Sequence, residues 1–134
     1  MKREAPKPVP APSSTDPQTV LAKACKGDAK CICINNAIFK HDSSWATKGV
    51  GKKALNPGNM RPPKTWKPSV PFTVYVKAKD DYFAKFETLE HGIIANVELY
   101  QRFYAHLPNA DALVSKWAGG GGNANYRAAV RSCF

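Results

Sequence analysis

Apolar residues recur at helical spacing in five stretches, and aromatic and β-branched residues gather in two short runs between them. Asp16-Pro17 marks a helix start, a capping side chain followed by proline at the first helical position, and Val20, Leu21, Ala24 and Cys25 form its apolar stripe until Gly27 stops it. Asp28 caps a second helix through Cys31, Ile32, Ile34, Ile38 and Phe39, apolar nearly all round and so expected at the centre of the core. It runs out at His41-Asp42. Residues 43–71, rich in Gly, Pro, Lys and Ser, sustain neither period and predict a long loop, which in a compact domain usually carries function. Residues 72–76 and 82–86 are rich in aromatic and β-branched side chains and predict a β-hairpin in a two- or three-stranded sheet.

Thr88 caps an amphipathic helix with Leu89, Ile93, Val97, Tyr100, Tyr104 and Leu107 on one face. Pro108-Asn109 opens another through Leu113, Val114 and Trp117, stopped by Gly119 to Gly122, and Asn123 or Asn125 opens a last one through Tyr126, Ala129, Val130 and Cys133. The expected fold is therefore α+β and mainly α: two helices, a loop, a hairpin, then three helices. No internal repeat is visible. The first 17 residues, with five prolines and almost no large apolar side chain, read as a flexible tail or linker, not a signal peptide, leaving 18–134 as one domain.

Charge narrows the partners. Of the formal +10, residues 40–85 hold +7, ten Lys/Arg against three Asp, whereas residues 86–134 sum to zero. Such a basic stretch predicts an anionic partner, or else a solvated face. Interleaved lysines and aromatics from Lys64 to Lys85 raise nucleic acid as an alternative, but no nucleic-acid fingerprint accompanies them, and nucleic acid is not the expected partner. No apolar run reaches 18 residues, so no membrane span is expected.

Cys25, Cys31, Cys33 and Cys133 are an even number in a small basic domain, which fits disulfides and an oxidising, extracytoplasmic setting. Four cysteines allow three full pairings; the arrangement favoured here ties Cys133, at the C-terminal helix, to an early helix. A zinc site is disfavoured because three cysteines cluster and the fourth lies a hundred residues away. No metal or cofactor is expected.

The candidate chemistry centres on a carboxylate at the end of a buried helix, just before an open loop. Phe39-Lys-His-Asp-Ser-Ser-Trp45, followed after ten residues by Asn56-Pro-Gly-Asn-Met-Arg61, resembles two patterns of bacterial and phage cell-wall hydrolases. One is the Glu-Ser-x-Trp helix end of flagellar-type glucosaminidases and lytic transglycosylases; the other is the Asn-Pro-Gly-Asn loop of muramidase-like proteins. In the latter group a Trp, a hairpin, Phe-x-Ser-x-Glu-Gly, a Tyr-bearing helix, a Trp-Ala turn and a final Tyr helix follow. Trp66, the hairpin, Phe86 to Gly92, Tyr100, Trp117-Ala118 and Tyr126 stand in that order here, so the resemblance covers roughly residues 28–131.

The resemblance implies a lysozyme-like domain that cuts peptidoglycan glycan strands. Its catalytic acid falls on Asp42, where the family has Glu, so the carboxyl reaches about 1.5 Å less far, one bond length. Glycoside cleavage needs a protonated carboxyl at the leaving oxygen, often with a second carboxylate about 5–9.5 Å away. The second-carboxylate candidates are Glu90, at the family's Phe-x-Ser-x-Glu position, and Asp81 at the hairpin turn, although carboxylates also favour first helical turns and Asp favours turns of any kind. Flat aromatic faces and amides that could hold sugars are Trp45, Asn56, Asn59, Trp66, Tyr75, Tyr82 and Tyr126, with Arg61 closing the loop motif. The expected partners are glycan strands, with an inhibitor or immunity protein or a virion or secretion assembly beyond them. The alternative function is a non-catalytic glycan-binding or virion- and secretion-associated structural protein that keeps the scaffold.

Overall fold

The computed structural model describes residues 16–120 and 122–134. Of the Pro-rich stretch 1–17, all but Asp16 and Pro17 lies outside the described residues, and these two begin the first helix. Six helices and one hairpin follow in the order α1 (Pro17–Ala24), α2 (Ala29–Ser43), α3 (Gly49–Ala54), β1 (Thr73–Ala78), β2 (Asp81–Lys85), α4 (Leu89–Phe103), α5 (Ala110–Trp117) and α6 (Ala124–Arg131). The domain is mixed α and β, mainly helical.

Five helices begin on a side-chain cap. Asp16, Asp28, Thr88, Asn109 and Asn123 each accept a hydrogen bond from the backbone N–H three residues on, satisfying a donor that the first turn leaves unpaired. Of the two asparagines proposed to open the last helix, Asn123 does so. The sixth helix, α3, has no such cap and sits inside the stretch expected to be loop. Its Gly51 lets it approach α2 closely: a Cβ there would stand 2.3 Å from that of Ser43.

Leu21, Ile34, Ile38, Phe39, Ile93, Val97, Leu113, Val114 and Val130 form the main core and are completely buried. Each such side chain contributes on the order of 1.5–3 kcal/mol relative to exposure. As expected, α2 runs through this core. Helix α4 ends at Phe103, short of the predicted Leu107, because the amides of Tyr104 and Ala105 both turn back to the Tyr100 carbonyl. Tyr104 and Leu107 still pack against the core, so the apolar period outlasts the helix.

A smaller cluster of Met60, Ala84, Phe86 and Ala95 lies beneath the hairpin. Its two strands pair antiparallel, Tyr75 with Phe83 and Val76 with Tyr82, with a bulge between Val76 and Ala78. The other edge of β2 is held by the preceding segment: the Ala84 amide donates to the Met60 carbonyl at 3.1 Å, and the Phe86 amide to the Ala54 carbonyl at 2.9 Å.

Two disulfides complete the scaffold. Cys33 on α2 is bonded to Cys133 beyond α6, a closure of 100 residues. Cys25–Cys31 joins the end of α1 to the first turn of α2. The tie from Cys133 to an early helix is thus present, and the remaining two cysteines pair with each other.

Candidate functional site

Asp42 is the penultimate residue of α2, and the chain reverses immediately after it through Ser44, Trp45 and Ala46, all at positive φ. Non-glycine residues adopt that conformation at a cost of roughly 1–2 kcal/mol each, so surrounding bonds must impose it. Buried Ser43 supplies two: its Oγ donates to the Pro57 carbonyl at 2.6 Å and accepts from the Ala46 amide at 2.7 Å. The end of α2 is thereby clamped to the Asn56–Met60 loop.

That loop is organised from within by Asn56, which is 0 % exposed. Its Nδ2 donates to the carbonyls of Met60 (3.0 Å) and Ala84 (2.8 Å), while its Oδ1 accepts from the Met60 amide and from Nδ2 of Asn96 on α4, both at 3.0 Å. Every hydrogen-bonding position of the side chain is occupied. Asn56 therefore ties loop, hairpin and α4 together and has no atom left for a sugar, so its expected binding role is replaced by a scaffolding one. Asn59, in contrast, sits at φ 52° on the cleft wall and donates from Nδ2 to the backbone carbonyl of Asp42 at 2.9 Å.

Between this loop and the α4–α5 corner lies a cleft of about 600 Å³, within the usual range for a small-molecule site. Asp42 and Asn59 stand on one side; Trp66, Phe103, Tyr104 and Trp117 give it aromatic walls. Trp117 is fixed by an indole N–H bond to the Gly58 carbonyl at 2.9 Å and by packing on Tyr104, ring centroids 4.7 Å apart. Gly58 has to be glycine for this, since a Cβ would stand 2.3 Å from Oδ1 of Asn96 and 3.0 Å from the Trp117 ring.

Burial raises the Asp42 carboxyl to about pH 7 from 3.8, because removal from water disfavours the charged form. The O–H of Tyr126, donating to Oδ2 at 3.2 Å, pulls in the opposite direction, as does the nearby Trp117 N–H, whose own hydrogen bond goes to Gly58. Desolvation prevails. Tyr126 is itself pushed up, first by burial and then by the Asp42 charge, so it remains a donor throughout the working range. His41 stacks on the Tyr126 ring, centroids 5.1 Å apart. A half-buried carboxyl that carries its proton up to neutrality, at the wall of an open cleft, can act as a general acid.

The remaining sequence candidates separate clearly. Trp66 and Arg61 line the cleft. Arg61 lies over the Phe83 ring and is paired with Asp81 at 2.5 Å, so Asp81 is engaged as its counter-ion and is not among the residues facing the cleft. Glu90 is half-buried in the first turn of α4, also away from the cleft lining. Trp45 is turned to the far side of α2, edge-on to Phe39, with its N–H on Asn36 Oδ1 at 3.0 Å. Tyr75 and Tyr82 stay on the hairpin, Tyr82 being 42 % exposed, and neither lines the cleft.

Sequence reasoning missed Phe103, Tyr104, Lys64 and Lys116 as cleft residues and placed Trp117 only by its order in the chain. The signal for the aromatic wall was the Tyr104/Trp117 pair flanking the α4–α5 turn, which the helical period assigns wholly to the core.

Among the described residues no helix is long and apolar enough to cross a membrane, and no group of three or more His, Cys, Asp or Glu side chains is placed to hold a metal ion. No protein-family model matches the chain, and no curated protein or solved structure is significantly similar to it.

Proposed function

We propose that this protein is a lysozyme-like enzyme that cleaves peptidoglycan glycan strands, with Asp42 as the general acid. The observation that carries the reading is the position of Asp42: a carboxyl raised to about pH 7 by burial, at the end of a core helix, on the wall of a cleft that an aromatic face and an Asn side chain share with it. The helical domain with a hairpin wing and the Asn56–Met60 loop beside that carboxyl agree with the motif order that suggested the class. Two disulfides fit the oxidising compartments outside the cytoplasm, where such a polymer lies.

In this reading a saccharide lies along Trp66, Tyr104 and Trp117, whose ring faces match the apolar C–H faces of pyranoses. Asp42 gives its proton to the glycosidic oxygen as the C1–O bond breaks, and the bonding electrons leave with that oxygen. Positive charge then develops at C1. Hydrolysis with a second enzyme carboxylate would require one facing the cleft, and among the described residues Asp42 is the only carboxylate that lines it. The arrangement favours attack by the sugar's own 6-hydroxyl, which forms the C1–O6 bond and returns its proton to the Asp42 carboxylate. The product is a 1,6-anhydro sugar, and the reaction class is that of a lytic transglycosylase. Mass spectrometry of fragments released from purified sacculi should find anhydro ends; free reducing ends would refute internal attack, and no fragments at all would refute cleavage.

One observation favours a second reading, a glycan-binding structural component without turnover: Asp42 is a methylene shorter than Glu and is held by Tyr126. Asp42→Glu separates the two, since a decayed enzyme gains turnover from the longer acid, whereas an active one loses it.

A further inference from the structure

We infer that the cleft selects saccharides bearing a free carboxylate, read by Lys116 and by Lys64, which lines the same cleft. The inference rests on the glycan reading of the cleft and adds which chemical form of the glycan it takes.

Among the described residues the cleft is lined by one acid and three cations: Asp42 against Arg61, Lys64 and Lys116. Arg61 is neutralised by Asp81. Lys64 and Lys116 have no carboxylate partner among the described residues. Asp111 is engaged with Arg127 and Arg131, and Glu98 with the Ser69 amide at 2.8 Å.

Lys116 is also held in place. Its ammonium donates to the carbonyl of Phe103, the last residue of α4, at 3.1 Å, and stands 4.8 Å from the centroid of the Tyr104 ring. A helix C-terminus and an aromatic face both favour a cation there. One of its three N–H donors is thus used, leaving two for a ligand. The ammonium and the Trp117–Tyr104 wall on which a sugar ring would lie belong to the same cleft. A neutral polysaccharide would leave this charge unanswered. A saccharide with a pendant carboxylate, such as the lactyl acid of a muramyl residue without its peptide, would pair with it.

The experiment measures binding of two alternating N-acetylglucosamine/N-acetylmuramic acid oligomers, one with free lactyl carboxylates and one with the same carboxyls amidated. The native chain should prefer the free acid by about fivefold at low salt, the strength of one or two partly exposed ion pairs, and the preference should shrink as salt is added. Lys116→Gln and Lys64→Gln should each reduce the ratio. Lys23→Gln, an equal change of net charge on α1 outside the cleft, should leave it unaltered. Equal binding of the two oligomers, or a preference that survives Lys116→Gln and Lys64→Gln, overturns the inference while leaving glycan binding intact. Failure of both oligomers to bind overturns the glycan reading and this inference together.

Discussion

At the scale of single residues, the proposed chemistry rests on desolvation prevailing over hydrogen bonding at Asp42. Its proton is held up to about pH 7 in the folded protein but only to 3.8 in a solvated chain. Glycan cleavage should therefore be high below neutrality and fall as pH rises through about 7, as the acid form is lost. Tyr126→Phe removes a bond that favours the charged form, so the falling limb of the pH–rate profile should move to higher pH. An unmoved limb would assign that ionisation to another group.

The same shift has a stability consequence with the opposite sign to that of a salt-bridged carboxylate. Between about pH 4 and pH 7 the unfolded chain is ionised while the native state keeps its proton. The native state therefore binds more protons, and stability declines as pH rises through this window, the decline being complete above the folded value. Asp42→Asn, which cannot ionise, should be more stable than the native chain by roughly 1–4 kcal/mol at pH 8 and little different at pH 3.5, as read by thermal or urea unfolding. Asp42 stood out in the sequence because of the motif around it, Phe39 to Trp45 followed by the Asn56 to Arg61 loop. Asn56 misled, because a side chain's own composition does not reveal whether neighbours occupy all its hydrogen bonds.

At the scale of elements, the site depends on how tightly the loop following α3 is held. Gly92, in the first turn of α4, lies so close to the end of α3 that a Cβ would stand 2.0 Å from the Leu55 carbonyl oxygen. Gly92→Ala must displace backbone and should cost about 1–3 kcal/mol. Because that backbone leads directly into Asn56, glycan binding should fall by more than the unfolded fraction explains. Calorimetry beside a binding titration checks both.

The helices with side-chain caps were readable from sequence, and so was the hairpin. Helix α3 was not, for a physical reason: its two glycines and lysine N-cap weaken every local helix signal, and Gly51 is required by its approach to Ser43, a contact 8 residues away in the chain. Likewise the apolar period could not mark the end of α4, since Tyr104 leaves the helix and still packs on Trp117.

At the scale of the whole molecule, two crosslinks hold unequal lengths of chain. Closing 100 residues, Cys33–Cys133 should stabilise by about 5 kcal/mol in the chain-entropy picture, against about 2 for the short Cys25–Cys31 loop. Replacing each pair by serine should lower the unfolding midpoint much more for the long loop. Comparable losses would mean that the unfolded chain keeps its C-terminal segment near α2 even without the crosslink. The tie from Cys133 to an early helix was inferable from position alone, whereas which of three clustered cysteines it chose depended on the face of α2 that α6 covers.

The excess of +7 in residues 40–85 spans α3, the hairpin and the loop between them, and two of its cations, Arg61 and Lys64, line the cleft; any attraction to an anionic polymer should weaken with salt.

The most direct measurement is the rate at which purified sacculi release soluble fragments, followed across pH 4 to 9 for the native chain and for Asp42→Asn. The native protein should release fragments steadily, at a rate that declines through about pH 7, and folded Asp42→Asn should release none at any pH. Equal release by the two proteins would contradict the proposed role of Asp42.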